Sequence, residues 1–239
     1  MTVIVTGGSR GIGRSVVERL SATGVPVLFT HSASDAEARE LEERLGPQVR
    51  GVRLDITGDD APGLLFDLAE ELGEVSGLVN NAGITGRIGP FTDLADDDLR
   101  RIVEVNLVAP VRLCREAARR WKGRPGKAIV TVSSVAARTG SPGEYVAYAA
   151  TKGAVETMTV GLAKELAPSV RVNAVSPGFI DTTIHARAGE PGRAFRLAEQ
   201  RVPLRRPGEP GEIADAIVWL LSEQASYVNG AVLEVTGGL

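Results

Sequence analysis

The sequence contains very few of the residues that bind transition metals or form disulfides. It has one cysteine, Cys114, and two histidines, His31 and His185, in 239 residues. A single thiol excludes an intramolecular disulfide, and so small a supply of soft ligands does not predict a zinc or iron–sulfur site. We therefore expect chemistry that needs no metal held by the protein.

Long apolar runs and an excess of positive charge are also missing. No apolar run approaches the roughly 20 residues that span a bilayer, and the opening MTVIVTGG reaches a turn within seven residues. The net charge of -3 gives no electrostatic reason to bind nucleic acid or an anionic membrane surface. We expect a cytoplasmic protein with neither partner.

What the sequence does contain is an alternation of short β-branched runs with longer amphipathic stretches. This alternation predicts an α/β fold, a Rossmann-like doubly wound parallel sheet of seven strands with helices on both faces. The length suits a single domain over residues 1–239, with a substrate-binding excursion at about 179–210. The predicted strands span residues 3–5, 25–29, 52–54, 78–79, 128–132, 171–175 and 232–235.

The stretch TGGSRGIG follows the first predicted strand and opens a helix. Glycines at Gly7, Gly11 and Gly13 allow a sharp turn and a close approach to a diphosphate, which the helix N-terminus stabilises. The overlapping GSRGIGRS imitates a triphosphate-binding loop, but Arg14 stands where lysine belongs and no acidic metal partner follows a later strand. A dinucleotide is therefore the favoured ligand.

The residues after the second strand bear on the choice of cofactor. An NAD-binding protein usually places there a carboxylate that holds the adenosine 2'-hydroxyl. This sequence has Thr30, His31 and Ser32 instead, with Arg10 in the glycine turn. These residues suit a 2'-phosphate, so NADP(H) is favoured and NAD(H) is the alternative, as is a solvated loop position for His31.

The segment EYVAYAATKGA contains two tyrosines and one lysine. In a helix, Tyr148 lies one turn from Lys152, whereas Tyr145 has only Ala149 at that spacing. A nearby ammonium favours the phenolate and lowers the pKa of a phenol, which makes Tyr148 a candidate acid and base. The alternative is a surface pair without function.

The chain resembles the short-chain dehydrogenase/reductase family, in its single-domain, glucose-dehydrogenase-like and ketoreductase-like form, over almost its whole length. The matching segments are TGGSRGIG, LDI at 54–56, NNAG at 80–83, Asn106 in VNL, Ser134 in VSSVAA, YAATK at 148–152, SPGFIDT at 176–182 and SYVNGAVLEVTGG at 226–238.

The resemblance implies catalytic roles for four residues. Tyr148 exchanges a proton with the substrate oxygen, and Ser134 hydrogen-bonds that oxygen. Lys152 lowers the pKa of Tyr148 and bonds the nicotinamide ribose, while Asn106 supports a water that relays protons to Lys152. Ser133 is a weaker alternative to Ser134, because consecutive strand residues face opposite sides.

The resemblance also implies a cofactor site along one edge of the sheet. It would include Tyr148 and Lys152, and its other members are Gly7, Ser9, Arg10, Gly11, Ile12, Gly13, His31, Ser32, Asp55, Ile56, Asn80, Ala82, Gly83, Pro177, Gly178, Ile180 and Thr182.

The expected activity is NADP(H)-dependent hydride transfer between nicotinamide and a carbonyl or alcohol, most plausibly as a ketoreductase. The alternatives are a non-catalytic dinucleotide-binding regulator and an isomerase or dehydratase without net cofactor turnover. The substrate is a small molecule, with an acyl thioester as one form, and the resemblance implies a homotetramer or homodimer. Arginines in the excursion and the run RRWKGRPGK could receive an anionic substrate, but a solvated surface is favoured.

Overall fold

The computed structural model describes residues 1–183, 190 and 192–239. Its seven strands are β1 Thr2–Val5, β2 Val27–His31, β3 Val49–Arg53, β4 Val75–Asn80, β5 Lys127–Val132, β6 Val170–Pro177 and β7 Val232–Val235. They form one parallel sheet in the order β3-β2-β1-β4-β5-β6-β7. The predicted fold class is confirmed.

Helices connect the strands and cover both faces of the sheet. They are α1 Gly11–Ala22, α2 Asp35–Leu45, α3 Ala61–Glu70, α4 Asp96–Val103, α5 Ala109–Arg120, α6 Ala136–Thr139, α7 Val146–Glu165, α8 Arg193–Arg201 and α9 Pro210–Leu221. Short 3-10 turns lie at Phe91–Asp93 and Glu223–Ala225, and a π-helical turn, Glu104–Val108, joins α4 to α5.

Two apolar layers hold the sheet between the helices. On one face, Val16 and Val17 of α1 pack with Leu41 of α2 and with α9. On the other face, Phe66 of α3 and Leu113 of α5 pack with α7. Because both faces are covered, the central strands are apolar along their whole length rather than alternating.

An apolar stripe runs along α9 and belongs to this core. Ile213, Ile217 and Leu220 are fully buried, and α9 packs on α1. Trp219, on the other side of α9, is exposed. The stripe therefore stabilises the monomer fold. None of the helices in the described ranges is long and apolar enough to cross a membrane.

The strand order positions the candidate site. The chain leaves β1 toward β2 and β3 and later returns to place β4 on the other side of β1, so the order reverses beside β1. Open α/β sheets bind ligands at such a reversal, at the carboxyl ends of the strands. The glycine turn after β1 and the NNAG segment after β4 meet there.

Two strands begin three residues before their predicted starts, β3 at Val49 rather than at residue 52 and β4 at Val75 rather than at residue 78. Strand β3 is an edge strand, and the arginines of its sequence VRGVR are exposed enough to pair with acids: Arg50 contacts Glu71 and Arg53 contacts Asp35. An edge strand is hydrogen-bonded on one side only and tolerates polar residues. The start of β3 therefore lacks the continuous apolar run from which a strand is predicted.

Candidate active site

The glycine turn between β1 and α1 has the geometry that its sequence predicts. Gly7 and Gly11 have φ of +66° and +52°, a region that favours glycine. A Cβ on Gly13 would lie 2.3 Å from the carbonyl oxygen of Gly7. The turn thus presents bare backbone and the N-terminus of α1 to the cleft, with Ser9, Arg10 and Ile12 along it.

Asn81 fastens this turn to the end of β4. Its Nδ2 donates to the carbonyl oxygens of Thr6 and Gly7, at 2.9 and 3.0 Å. The backbone N–H of Ala82 donates to Thr6 Oγ1 at 3.0 Å. The sequence analysis included Asn81 only as a member of NNAG and did not predict that it holds the glycine turn. The pair of asparagines at the end of β4 was the only signal for this role.

Charged residues surround the end of β2, where the adenosine ribose is expected. Arg10 Nη1 lies 3.6 Å from Glu37 Oε1, and Asp35 Oδ2 lies 3.2 Å from Arg53 Nη1. His31 is buried, with its Nδ1 3.6 Å from Asp35 Oδ1. Acids and bases thus share this corner, and Asp35, Glu37 and Arg53 were missed by sequence reasoning.

Other predicted adenosine residues lie along the same edge. Ser9 Oγ shares a 2.6 Å hydrogen bond with Ser34 Oγ, while Ser32 is exposed. The Asp55 carboxylate accepts from the N–H and hydroxyl of Thr57, and these bonds lower the pKa of Asp55. Ile56 is buried.

Asn80 is buried in the core, whereas Gly83 of the same NNAG segment lies in the cleft. The Nδ2 of Asn80 donates to Cys114 Sγ of α5 at 3.3 Å. Gly83 lies in the cleft, where an added Cβ would be 3.2 Å from Asn106 Oδ1 and 3.7 Å from Lys152 Nζ. The bare backbone at Gly83 leaves room beside these two polar groups.

The segment after β6 forms the wall of the cofactor cleft that faces the glycine turn. Pro177 ends β6, and the N–H of Gly178 donates to Val235 O. Ile180 is buried and bridges to Gly208. Thr182 faces the glycine turn, since a Cβ on Gly11 would lie 3.3 Å from its Cγ2. A cavity of about 520 Å³ lies between α1, Thr182 and α8.

The candidate catalytic residues lie around α7 and near Gly83, and they are not among the described residues that line this cavity. Tyr148 and Lys152 both lie in α7, with Lys152 Nζ 5.6 Å from the Tyr148 ring centroid. Ser134, just beyond β5, is close enough to the Tyr148 hydroxyl to lower the pKa of that group. Lys152 Nζ donates to Val132 O at 2.7 Å. The helical spacing predicted for Tyr148 and Lys152 is confirmed.

Ser133 and Ser134 face different surroundings. Ser133 Oγ donates to Glu156 Oε1 at 2.6 Å and to Lys152 O at 3.3 Å, within the packing under α7. Ser134 Oγ accepts from the N–H of Ala136 at 3.2 Å and turns toward Tyr148. The geometry favours Ser134 as the residue that meets a substrate.

Asn106 lies in the π-helical turn between α4 and α5. Its amide group is held at both ends by Ile84, whose N–H donates to Oδ1 at 2.9 Å and whose carbonyl oxygen accepts from Nδ2 at 2.7 Å. Such turns often occur at functional sites. The turn brings Asn106 to Gly83, on the same side of the cleft as Lys152.

Known proteins resemble this chain over nearly its whole length. Residues 7–239 match the family model described as enoyl-(acyl carrier protein) reductase. The uncharacterized oxidoreductase YgfF of Escherichia coli is 42% identical over 243 residues, which cover 98% of each chain.

Solved structures show the same likeness. A blue fluorescent protein from a metagenomic library, in complex with NADPH, has a TM-score of 0.90 at 33% identity, over 99% of this chain and 96% of that one. The 3-ketoacyl-(acyl-carrier-protein) reductase of Brucella melitensis, complexed with NADH, has a TM-score of 0.90 at 28% identity, over 99% of this chain and 97% of that one.

This chain is a short-chain dehydrogenase/reductase. It is an oxidoreductase of the family that binds a nicotinamide dinucleotide. The cradle of bare glycine backbone at Gly7, Gly11, Gly13 and Gly83 fits such a cofactor.

Burial is the largest influence on the pKa values of Tyr148 and Lys152 in this dehydrogenase/reductase. It raises the pKa of Tyr148 to about 12, although the nearby Ser134 hydroxyl opposes the shift. It lowers the pKa of Lys152 to about 8, opposed by Glu156. The net shift of the Tyr148 pKa is upward because burial disfavours the phenolate, and Lys152, whose ammonium is directed at Val132 O, is not among the groups that shift it. That Lys152 lowers this pKa stays a prediction.

The arginines that were candidates for an anionic substrate are largely paired with acids. Arg206 contacts Glu212, Arg196 contacts Glu190, and Arg120 contacts Asp67. Lys127 begins β5, at the opposite edge of the sheet from the cleft. The solvated-surface interpretation is favoured for the dehydrogenase/reductase, while His185 and Arg187 lie outside the described residues.

Proposed function

We propose that this protein is an NADP(H)-dependent ketoreductase. The observation that carries the proposal is a buried tyrosine, Tyr148, that lies close to Ser134 and one helical turn from Lys152 beside a dinucleotide cradle. With a pKa raised to about 12, Tyr148 keeps its proton throughout the neutral range. A phenol that keeps its proton can act as the acid that a ketone reduction needs.

The cofactor would lie along the carboxyl edge of the sheet. The turn from Gly7 to Gly13 would hold its diphosphate at the N-terminus of α1, and Arg10 with His31 and Ser32 would meet a 2'-phosphate. Asp55 and Ile56 would lie at the adenine, and residues 177–182 at the nicotinamide end. The bound nicotinamide supplies the hydride.

The side chains would handle the substrate oxygen and its proton. Ser134 would hydrogen-bond the carbonyl oxygen and orient it toward Tyr148, which would deliver a proton as negative charge develops there. Lys152 would keep a positive charge close to that oxygen. Asn106, held by Ile84, would fix a water through which the lost proton is replaced.

The proposed substrate is a ketone. The similar reductase from Brucella melitensis is named for 3-ketoacyl groups on acyl carrier protein, so a 3-ketoacyl thioester is a specific form to test. Several arginines on this surface are already paired with acids, and we favour a small ketone or the thioester of a short carrier mimic as the first substrates to test.

A direct assay follows the loss of reduced-nicotinamide absorbance with a panel of simple ketones, 3-ketoesters and 3-ketoacyl thioesters. We expect turnover with NADPH, with a secondary alcohol as product. A product formed without consumption of NADPH would instead identify a dehydratase or isomerase. Cofactor binding without turnover of any panel member would contradict the ketoreductase proposal for these substrate classes.

Cofactor preference provides a prediction about Arg10. We expect Arg10→Leu to raise KM for NADPH about tenfold or more, because a hydrogen bond to a charged group contributes about 1.5–3 kcal/mol. KM for NADH should change less than about twofold, since NADH has no 2'-phosphate for the guanidinium to bind. The measurement is KM for each cofactor at saturating ketone.

Arg44→Leu is the matched control for this experiment, because Arg44 forms ion pairs with Glu18 and Glu40 on the outer side of α2. It should leave both KM values near those of the wild type. Equal effects of Arg10→Leu on NADPH and NADH would mean that Arg10 does not read the 2'-phosphate.

A further inference from the structure

Arg193 is a charged residue buried where the excursion returns to the body of the protein. It is the first residue of α8, and its side chain is only 8% exposed. Removing a guanidinium from water is costly unless acids compensate its charge. The position therefore requires partners, and the structure provides them from two segments of the chain.

Two carboxylates and one aromatic ring surround the guanidinium. Arg193 Nη1 donates to Glu190 Oε2 at 2.8 Å, and Nη2 lies 2.5 Å from Glu144 Oε1 in an ionic contact that lacks good hydrogen-bond direction. The guanidinium carbon lies 5.6 Å from the centroid of the Tyr145 ring. We call Arg193, Glu144, Glu190 and Tyr145 the Arg193 cluster.

The Arg193 cluster connects the excursion to the candidate catalytic helix. Glu144 and Tyr145 immediately precede α7, and Tyr145 is its N-cap residue. The ring of Tyr145 packs edge-on against that of Tyr148, with centroids 6.1 Å apart. A displacement of α8 would therefore reach Tyr148 through a single intervening ring.

The charges hold the cluster closed. Burial alone would lower the pKa of Arg193, but Glu144 and Glu190 outweigh it and raise that pKa, so the charge persists. Without the guanidinium, two carboxylates would face each other across the junction and repel. Glu144 and Glu190 can lie this close together only while a cation lies between their carboxylates.

We propose that Arg193 is a positioning residue that holds α8 against the start of α7 and so fixes the part of the substrate wall that α8 provides near Tyr148. This inference rests on the proposed reductase function, since it assigns α8 to the substrate wall. Arg193 lines the same cavity as Gly11, but the acids that it contacts are Glu144 and Glu190 rather than residues of the diphosphate turn. Because these contacts lead to the start of α7, its effect should fall more on the substrate than on the cofactor.

The test is Arg193→Met, which keeps an unbranched chain but removes the charge. We expect KM for the ketone to rise about tenfold, with kcat within about threefold of the wild type. The Kd of NADPH, measured by its fluorescence on binding, should stay within about twofold. Arg193→Lys should recover part of the loss in KM, and Glu144→Gln should show a smaller increase in the same direction.

Arg201→Met is the matched control, because Arg201 is an exposed arginine at the other end of α8. It should leave KM unchanged. Hydrogen exchange provides a readout that needs no substrate: in Arg193→Met, peptides over residues 141–148 and 193–201 should exchange faster, while those over α1 should not.

The outcomes separate this inference from the reductase proposal. Absence of ketone turnover in the wild type would defeat the reductase proposal, and the exchange result would still report on the junction. An unchanged KM for ketone in Arg193→Met would overturn the inference. So would an equal weakening of NADPH binding, because that result indicates a general structural role.

Discussion

Tyr148→Phe should abolish most ketone reduction, with a fall in kcat of about 10²–10⁴-fold, the contribution typical of a positioned general acid. The reason is that Tyr148 is the buried hydroxyl that meets Ser134, and its pKa of about 12 keeps it in the acid form. Phenylalanine fills the same space without a proton to give. The measurement is single-turnover oxidation of bound NADPH at saturating ketone.

Tyr145→Phe is the matched control, since it removes a hydroxyl from the neighbouring buried tyrosine and leaves its ring in place. It should keep most of kcat, the parameter that loss of the acid lowers, while KM for the ketone rises because the Tyr145 hydroxyl also interacts with Arg193. Loss of the Tyr148 hydroxyl should cost stability only about 0.5–1.5 kcal/mol, the net value of one hydrogen bond. Unimpaired turnover in Tyr148→Phe would show that another group supplies the proton.

The position of the proposed acid could be predicted from the sequence because its determinants are local. Helical periodicity alone places Tyr148 above Lys152 and leaves Tyr145 without a lysine, and both lie in α7 as expected. The glycine turn is similarly local, since a strand, three glycines and a helix define it. Features that depend only on neighbouring residues therefore have nearly the same geometry in the folded protein as the sequence pattern predicts.

The environment of the acid could not be predicted in the same way. The sequence suggested that Lys152 lowers the pKa of Tyr148, but the depth of burial, which raises that pKa, depends on the whole fold. The corner at Asp35 and Arg53 depends on the register of β3 beside β2, and His31 lies opposite Arg53. A one-residue change in register would reverse that arrangement.

The contact between Arg193 and Glu144 shows a further limit. Arg193 begins α8 and Glu144 lies in the loop before α7, and no local sequence pattern predicts that the two residues meet. The sequence indicated only a concentration of arginines. Which of these arginines is buried depends on how α8 packs against the start of α7, a long-range contact that no local pattern reveals.

Lys152→Met should produce two opposite effects, a loss of activity and a gain in stability. The ammonium is close to the proposed reacting oxygen, and removing one such electrostatic group from a buried site costs about 10²–10³-fold in kcat. Its burial lowers the pKa from 10.5 to about 8. At about 1.36 kcal/mol per pKa unit, holding this charge at neutral pH destabilises the fold by about 3 kcal/mol.

The pH dependence of stability follows from the sign of that shift. Below pH 8, Lys152 is charged in both the folded and the unfolded protein, and the cost of burying the charge is present in full. As pH rises from about 8 to 10.5, the folded protein releases this proton before the unfolded chain does, so the contribution of Lys152 to stability improves. The stability advantage of Lys152→Met should therefore be largest at neutral pH and decline above about pH 8.

Chemical denaturation at pH 7 and pH 9.5 measures this difference, and the pH profile of ketone reduction measures the matching effect on activity. Wild-type reduction should slow as pH rises through about 8, because the ammonium is lost while Tyr148 remains protonated. The residual activity of Lys152→Met should lack that inflection. A variant that is less stable at pH 7, or that keeps the inflection, would show that Lys152 is not the group whose buried charge the site uses. If both differences appear, the protein maintains at Lys152 a charge that weakens its fold and accelerates its reaction.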